Sequence, residues 1–285
     1  MIITKTPFRM SFFGGGTDME SFFKENGGSV LSTTFDKYCY VNVRHLPRFF
    51  DYSTELSYSK TERVTNIDDI EHPAIRNAMK MLDMHEIRLT YEADLPARSG
   101  LGTSSSFAVG MLNAFYALKG KYASKKQLAD EAIYLERVLC NEAGGWQDQI
   151  AASFGGFNRI DFNADGYTVH PVIVSPQRKQ QLNNNLMMFF TGFTRFSSEI
   201  QKANKLDDES KTKQLKQMLT LVDEAESILT DHSKDLDDFG RLLDVTWKLK
   251  RQTGKSVSTS NIDRLSAGGC SPCRLSSELR LPASP

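Results

Sequence analysis

The stretch Leu95-Pro-Ala-Arg-Ser-Gly-Leu-Gly-Thr-Ser-Ser-Ser106 decides the fold prediction for this chain of 285 residues. It follows the alternating segment 87–91, which predicts a β-strand, and it precedes apolar residues at helical spacing. The helical set is Phe107, Met111, Leu112, Phe115 and Leu118. We therefore expect a strand, a glycine-containing loop and a helix, with three serines available to cap the helix.

Phosphate binding is the function that this loop composition favours. Glycines let backbone N–H groups approach an anion closely, and a helix N-terminus adds unpaired donors and a partial positive charge. Serine hydroxyls can donate further hydrogen bonds or bind magnesium. The run lacks the Gly-Lys-Ser/Thr of a Walker motif, and it is not a Gly-x-Gly-x-x-Gly dinucleotide fingerprint. An ordinary capped turn is the alternative interpretation.

Two further segments carry residues suited to chemistry. Residues 5–18 contain a positive charge, Arg9, and a glycine turn followed by Thr17 and Asp18, which can bind a hydroxylated ligand. Residues 136–148 begin and end with carboxylates, which suit one magnesium ligand and one proton acceptor. A flexible turn and two solvated charges are the plainer interpretations of these segments.

The coarse secondary structure is mixed. Two adjacent strands are predicted over residues 30–35 and 38–44, with a turn at Asp36-Lys37 between them. Apolar spacing predicts one helix over residues 128–139 and a helical pair over residues 206–250.

In their order along the chain, the three segments resemble those of the GHMP kinase family. The resemblance rests on FRMSFFGGGTD (8–18), VLSTTFDKYCYV (30–41), LPARSGLGTSSSFAVGMLNAFYALKG (95–120), DQIAASFGGFNRI (148–160) and MMFFTGFTR (187–195), and it covers roughly residues 1–260. Within the family, the chain looks most like the sugar kinases that phosphorylate D-glycero-D-manno-heptose 7-phosphate at the anomeric hydroxyl. Galactokinase-like members carry Gly-Glu-His-Thr-Asp at residues 14–18, which makes galactose less expected here.

The resemblance implies an α/β (α+β) fold of two domains. Residues 1–175 are expected to form a ribosomal S5-like, ATP-binding N-terminal domain, and residues 176–263 a ferredoxin-like C-terminal domain. A third glycine-rich motif that the family carries late in the chain is absent, and residues 264–285 hold few large apolar side chains. We therefore expect a truncated C-terminal domain and an unrelated, loosely ordered tail.

The resemblance also implies a site. Its ATP-binding residues are Pro96, Arg98, Ser99, Gly100, Leu101, Gly102, Thr103, Ser104, Ser105 and Ser106. The Mg²⁺ ligands are Ser104 and Glu136, with Ser105 as an alternative to Ser104. Asp148 is the catalytic residue that orients or deprotonates the acceptor hydroxyl, and Arg9 supports it. The sugar contacts are Gly15, Gly16, Thr17, Asp18 and Asp148.

The implied activity is transfer of the ATP γ-phosphoryl group to a sugar phosphate, with ATP and Mg²⁺ as cofactors. A kinase for fucose or galactose is one alternative. A catalytically impaired protein that binds a nucleotide or sugar phosphate is another, because the third motif is missing. Candidates for holding the acceptor's own phosphate are Lys37, Arg44, Arg98 and Arg195, which spacing does not rank.

The amino-acid composition indicates which classes of binding partner are not expected. The chain has 35 basic and 35 acidic residues and a formal net charge of zero, so a nucleic acid or an anionic membrane is not an expected partner. Four cysteines are too few for a disulfide framework, and the N-terminus does not resemble a secretory signal. A cytoplasmic monomer or homodimer is expected.

Overall fold

One seven-stranded sheet organises the fold, in a computed structural model that describes residues 1–97, 99–188 and 209–253. The strands are β1 Ile2–Phe13, β2 Gly28–His45, β3 Thr54–Ser57, β4 Thr61–Val64, β5 Ile87–Ala93, β6 Phe157–Asn163 and β7 Gly166–Pro171. Their order is β4-β3-β5-β2-β6-β7, and β1 also pairs with β2. The β3–β5 pair is parallel and the other pairs are antiparallel.

Eight α-helices lie in the described ranges. They are α1 Glu20–Asn26, α2 Pro73–Met81, α3 Thr103–Leu118, α4 Lys125–Ile133, α5 Gln147–Phe154, α6 Pro176–Asn184, α7 Glu209–Thr230 and α8 Asp237–Gln252. A π-helical segment, Tyr134–Leu139, continues directly from α4. Among these helices, none combines the length and apolar character needed to cross a membrane.

The long strand β2 replaces the two strands that the sequence predicted. Its first part pairs with β6 and its second part with β5, while β1 runs antiparallel along both parts. The predicted turn at Asp36-Lys37 is wrong, because Pro7 pairs with Tyr38 and Arg9 with Thr34, so the extra residues form an irregularity within the pairing. Pairing with β1 on both sides of this irregularity keeps the strand extended where local composition favours a turn.

Two apolar clusters fix the helices around the sheet. Helix α3 is buried against the strands through residues that include Met111, Leu112 and Phe115. Helices α7 and α8 pack on the end of β1, where the Phe239 ring lies edge-on to Phe12 and Phe13 at centroid distances of 5.3 and 5.1 Å. The predicted helical pair is confirmed, and it lies against the strand that carries Arg9.

Candidate active site

An ion pair between β1 and α5 forms the centre of the site. Arg9 Nε donates to Asp148 Oδ1 and Arg9 Nη2 donates to Asp148 Oδ2, both at 2.8 Å. The Arg9 side chain is 9% exposed and that of Asp148 is 26% exposed, so the carboxylate is the more accessible partner. Burial lowers the pKa of Arg9, but the charge and hydrogen bonds of Asp148 and the charge of Asp18 outweigh it and raise that pKa. Arg9 therefore stays charged.

The glycine loop contacts this pair directly. Gly102 adopts a left-handed conformation with φ of 74°, and a Cβ atom there would lie 3.2 Å from Arg9 Cγ and 3.6 Å from Asp148 Oδ2. The backbone N–H of Arg9 donates to the Leu101 carbonyl at 3.2 Å. Glycine at position 102 thus lets the loop approach the ion pair closely.

The N-terminus of α3 is not capped by a side chain. Gly102 is its N-cap residue, so the prediction that a serine caps the helix is wrong. Ser104 is exposed in the first turn, whereas Ser105 and Ser106 are buried there. Because the N-cap residue Gly102 provides no side-chain acceptor for the first-turn N–H groups, these donors and the helix dipole can bind an anion.

The loop before α3 follows β5, as the predicted order of strand, loop and helix requires. Pro96, Ser99, Gly100 and Leu101 lead into this helix start, whereas Arg98 lies outside the described residues.

Glu136 reaches the first turn of α3 from the π-helical segment. Its side chain is 1% exposed, and its Oε2 accepts hydrogen bonds from Ser105 Oγ at 2.7 Å and from Gln149 Nε2. Its Oε1 is buried and has no partner among the described residues. A free buried carboxylate oxygen beside a serine fits a Mg²⁺ ligand. The serine in contact is Ser105, while Ser104 faces outward.

Thr17 and Asp18 hold the glycine turn in place. Thr17 Oγ1 donates to the Gly14 carbonyl at 2.8 Å and accepts from the Ser29 N–H at 3.1 Å. Asp18 Oδ1 accepts from the Gly16 N–H at 2.9 Å and Oδ2 from the Gln147 N–H at 3.2 Å. Burial and the charge of Asp148 raise the pKa of Asp18. Both side chains therefore bind backbone, and Asp18 joins the turn to the start of α5.

Lys250 is the functional candidate that sequence reasoning missed. It lies near the end of α8, and its Nζ is 3.3 Å from the position of a Cβ atom at Gly15. Burial and Arg9 lower the pKa of Lys250 to about 8, against the opposing charges of Asp18 and Asp148. The available signal was helical spacing, because Lys250 follows the buried Trp247 by three residues and so lies on the same face.

Sequence comparisons connect the chain to known kinases. Residues 70–156 match the family described as GHMP kinases N terminal domain. The D-glycero-alpha-D-manno-heptose 7-phosphate kinase of Campylobacter jejuni is 30% identical, over 93% of this chain and 81% of its own length. The bifunctional fucokinase/GDP-fucose pyrophosphorylase of Arabidopsis thaliana is 22% identical, and the match spans 27% of that longer protein.

Solved structures share the fold. A crystal structure of a D-glycero-D-manno-heptose 1-phosphate kinase from Bacteroides thetaiotaomicron superposes with a TM-score of 0.79 at 22% identity, covering 98% of this chain and 87% of that one. Streptococcus pneumoniae phosphomevalonate kinase, in complex with phosphomevalonate and AMPPNP, superposes with a TM-score of 0.76 at 13% identity, covering 98% and 91% of the two chains. The mixed α/β architecture is common to all three.

Proposed function

The chain belongs to the GHMP kinase family of ATP-dependent phosphotransferases, and from that premise we propose that it phosphorylates the anomeric hydroxyl of D-glycero-D-manno-heptose 7-phosphate. The product is the 1,7-bisphosphate. The observation that carries the proposal is the Arg9–Asp148 pair in contact with Gly102 of the phosphate loop. The choice of acceptor draws on the 30% identity to the Campylobacter jejuni enzyme.

The residues of the site have separate roles in the in-line transfer of the γ-phosphoryl group. The loop from Pro96 to Ser106 and the first turn of α3 hold the ATP phosphates, and the turn at Gly15 and Gly16 faces the sugar. Asp148 accepts the proton of the anomeric hydroxyl, whose oxygen bonds to the γ-phosphorus as the bond to ADP breaks. Arg9 holds the Asp148 carboxylate in one orientation through two hydrogen bonds.

Glu136 is assigned to Mg²⁺ because its Oε1 is buried and free among the described residues. Ser105 is the serine placed to share that ion, with Ser104 one residue away. When bound, the ion neutralises charge on the ATP phosphates.

There are two alternatives to this function, one an enzyme and the other a binding protein. A kinase for fucose or galactose is one, and the similarity to the Arabidopsis thaliana fucokinase favours fucose of the two. An impaired binding protein is the other. It depends on the absent third motif, and the tail of residues 264–285 lies outside the described residues. We propose that residues 1–175 and 176–263 form the two domains.

The test is ADP release by the purified chain with ATP, Mg²⁺ and a panel of acceptors. The panel is the heptose 7-phosphate, fucose, galactose and mevalonate, and ³¹P NMR identifies the product. We expect turnover with the heptose phosphate and a new anomeric phosphate signal. Preference for fucose or galactose would overturn the acceptor. Nucleotide binding without ADP release for any acceptor would support the impaired protein instead.

A further inference from the structure

A small recess beside the ion pair contains a positive charge to which the mechanism assigns no role. The recess lies between α8, α7, β1 and the glycine turn, and Lys250 lines it. Its other lining residues are Ser11, Phe12, Gly15, Met218, Thr246 and Trp247. Because Gly15 has no side chain, nothing from that residue covers the Lys250 amine.

The Lys250 amine has no hydrogen-bond or ion-pair partner among the described residues, although the residue is partly buried. Lys248, two positions earlier on α8, shows the ordinary arrangement. Its amine is 2.7 Å from Asp244 Oδ2 and its side chain is 70% exposed. The charges of Asp18 and Asp148 act on the Lys250 amine without an ion-pair contact, and they offset only part of the effect of its burial. A buried cation that no described carboxylate contacts is stabilised by an anionic ligand.

The recess belongs to the acceptor side of the site. None of its lining residues comes from the phosphate loop at 96–106, which instead approaches the Arg9–Asp148 pair through Gly102. Gly15 belongs to the turn that faces the sugar in the proposed function, and Lys250 lies against it. A neutral sugar needs no cation at this position, whereas a phosphorylated one presents a dianion.

We propose that Lys250 binds the phosphate group that the acceptor already carries, and so selects a phosphorylated sugar over the free sugar. This inference rests on the proposed function, because it names the part of the acceptor that the same site recognises. It also replaces the sequence-based candidates. Lys37 and Arg44 do not line the recess, and Arg98 and Arg195 lie outside the described residues.

The test compares Lys250→Met with Lys248→Met, the same substitution on an exposed position of the same helix. KM and kcat are measured with the heptose 7-phosphate and with the unphosphorylated heptose. Calorimetry measures binding of the heptose phosphate without nucleotide. We expect Lys250→Met to raise KM and the dissociation constant for the phosphorylated sugar about tenfold or more, because a charge-assisted hydrogen bond is lost. KM for ATP and for the free heptose should not change, and Lys248→Met should behave as wild type.

Three results would overturn the inference. The first is an unchanged KM for the phosphorylated sugar in Lys250→Met. The second is an equal fall in kcat with both sugars, which would place the amine on the transferring phosphoryl group. The third is a wild-type chain that does not bind the heptose phosphate. Binding by wild type without phosphoryl transfer would instead reject the proposed function, and loss of that binding in Lys250→Met would still support the role of Lys250.

Discussion

At the residue scale, Asp148 is the side chain that the proposed function makes the proton acceptor. Asn keeps its size but cannot accept a proton, and its amide nitrogen faces a guanidinium that needs two acceptors. We expect Asp148→Asn to lower kcat about 100-fold to 10,000-fold with little change in KM for ATP. Steady-state kinetics checks this, with Asp165→Asn on an exposed turn as the matched control. Wild-type turnover in Asp148→Asn would remove the assigned role.

Gly145 is the residue at which a single methyl group disturbs the site. A Cβ atom there would lie 1.9 Å from Asp18 Oδ2, so alanine must displace the carboxylate that joins the glycine turn to Gln147. We expect Gly145→Ala to lower the free energy of unfolding by about 1–3 kcal/mol, measured by urea denaturation, and to reduce turnover.

Gly240 provides the control for that substitution. A Cβ atom at Gly240 meets nothing within 4 Å, and the residue lies inside helix α8. Gly240→Ala should therefore raise stability by about 0.5–1 kcal/mol. Equal stability of the two variants would contradict the clash at Gly145.

Lys250 also gives stability a pH dependence. Its pKa is about 8 in the folded chain and 10.5 ordinarily, with Asp18, Asp148 and Arg9 as the charged groups around it. Between these values the unfolded state holds more protons, so the contribution of Lys250 to stability rises with pH. We expect the wild type to gain stability relative to Lys250→Met from pH 8 to pH 10.5, in urea titrations at several pH values. A constant difference across that interval would count against the lowered pKa.

At the scale of elements, the π-helical segment and the first turn of α3 together form the end of the site to which we assign the nucleotide. The wider π turn directs Glu136 onto Ser105, and π segments inside helices frequently occur at functional sites. Neither element alone supplies both a carboxylate and the free N–H donors that a metal-bound phosphate needs.

Glu136→Gln tests this junction through nucleotide affinity. We expect wild type to bind ATP more tightly in the presence of Mg²⁺ than in the presence of a chelator. In the variant, the ratio of these two affinities should fall about tenfold or more, because a charged metal ligand is removed. Calorimetry with and without Mg²⁺ measures it. Glu131→Gln on α4, where the carboxylate pairs with Tyr116, is the control and should keep the advantage. An unchanged Mg²⁺ dependence in Glu136→Gln would rule out the metal assignment.

At the scale of the whole molecule, helices α7 and α8 and the sheet share one apolar cluster around Phe239. This packing sets the position of α8, and therefore of Lys250, relative to Arg9. The recess lined by Lys250, to which we assign the acceptor phosphate, consequently depends on the contact between the helical pair and the end of β1.

Phe239→Ala tests that dependence. Its ring is 1% exposed and contacts two other rings, so we expect a loss of about 3–5 kcal/mol in unfolding free energy. KM for the acceptor should rise more than KM for ATP. Val245→Ala on the same helix, where the side chain is 44% exposed, should change stability by less than about 0.5 kcal/mol. A stable Phe239→Ala variant with equal shifts in both KM values would contradict the coupling.

The sequence by itself predicted the strand, glycine loop and helix around residues 87–118, the helical pair and the three segments that form the site. These features depend on local periodicity and turn chemistry, which neighbouring residues encode. Their order along the chain also led to the family. By contrast, the predicted turn at Asp36-Lys37 was wrong because β1 pairs across it.

Only the tertiary structure decided which groups meet. It joined Arg9 to Asp148 across 139 positions, paired Glu136 with Ser105 and engaged Asp18 with backbone N–H groups. It also brought Lys250 to Gly15. These contacts follow from the packing of helices and strands onto one sheet, so the relevant distances are set by apolar burial between remote segments. Local sequence patterns carry no information about such distances. The sequence therefore did not predict that Lys250 of α8 lies at the site.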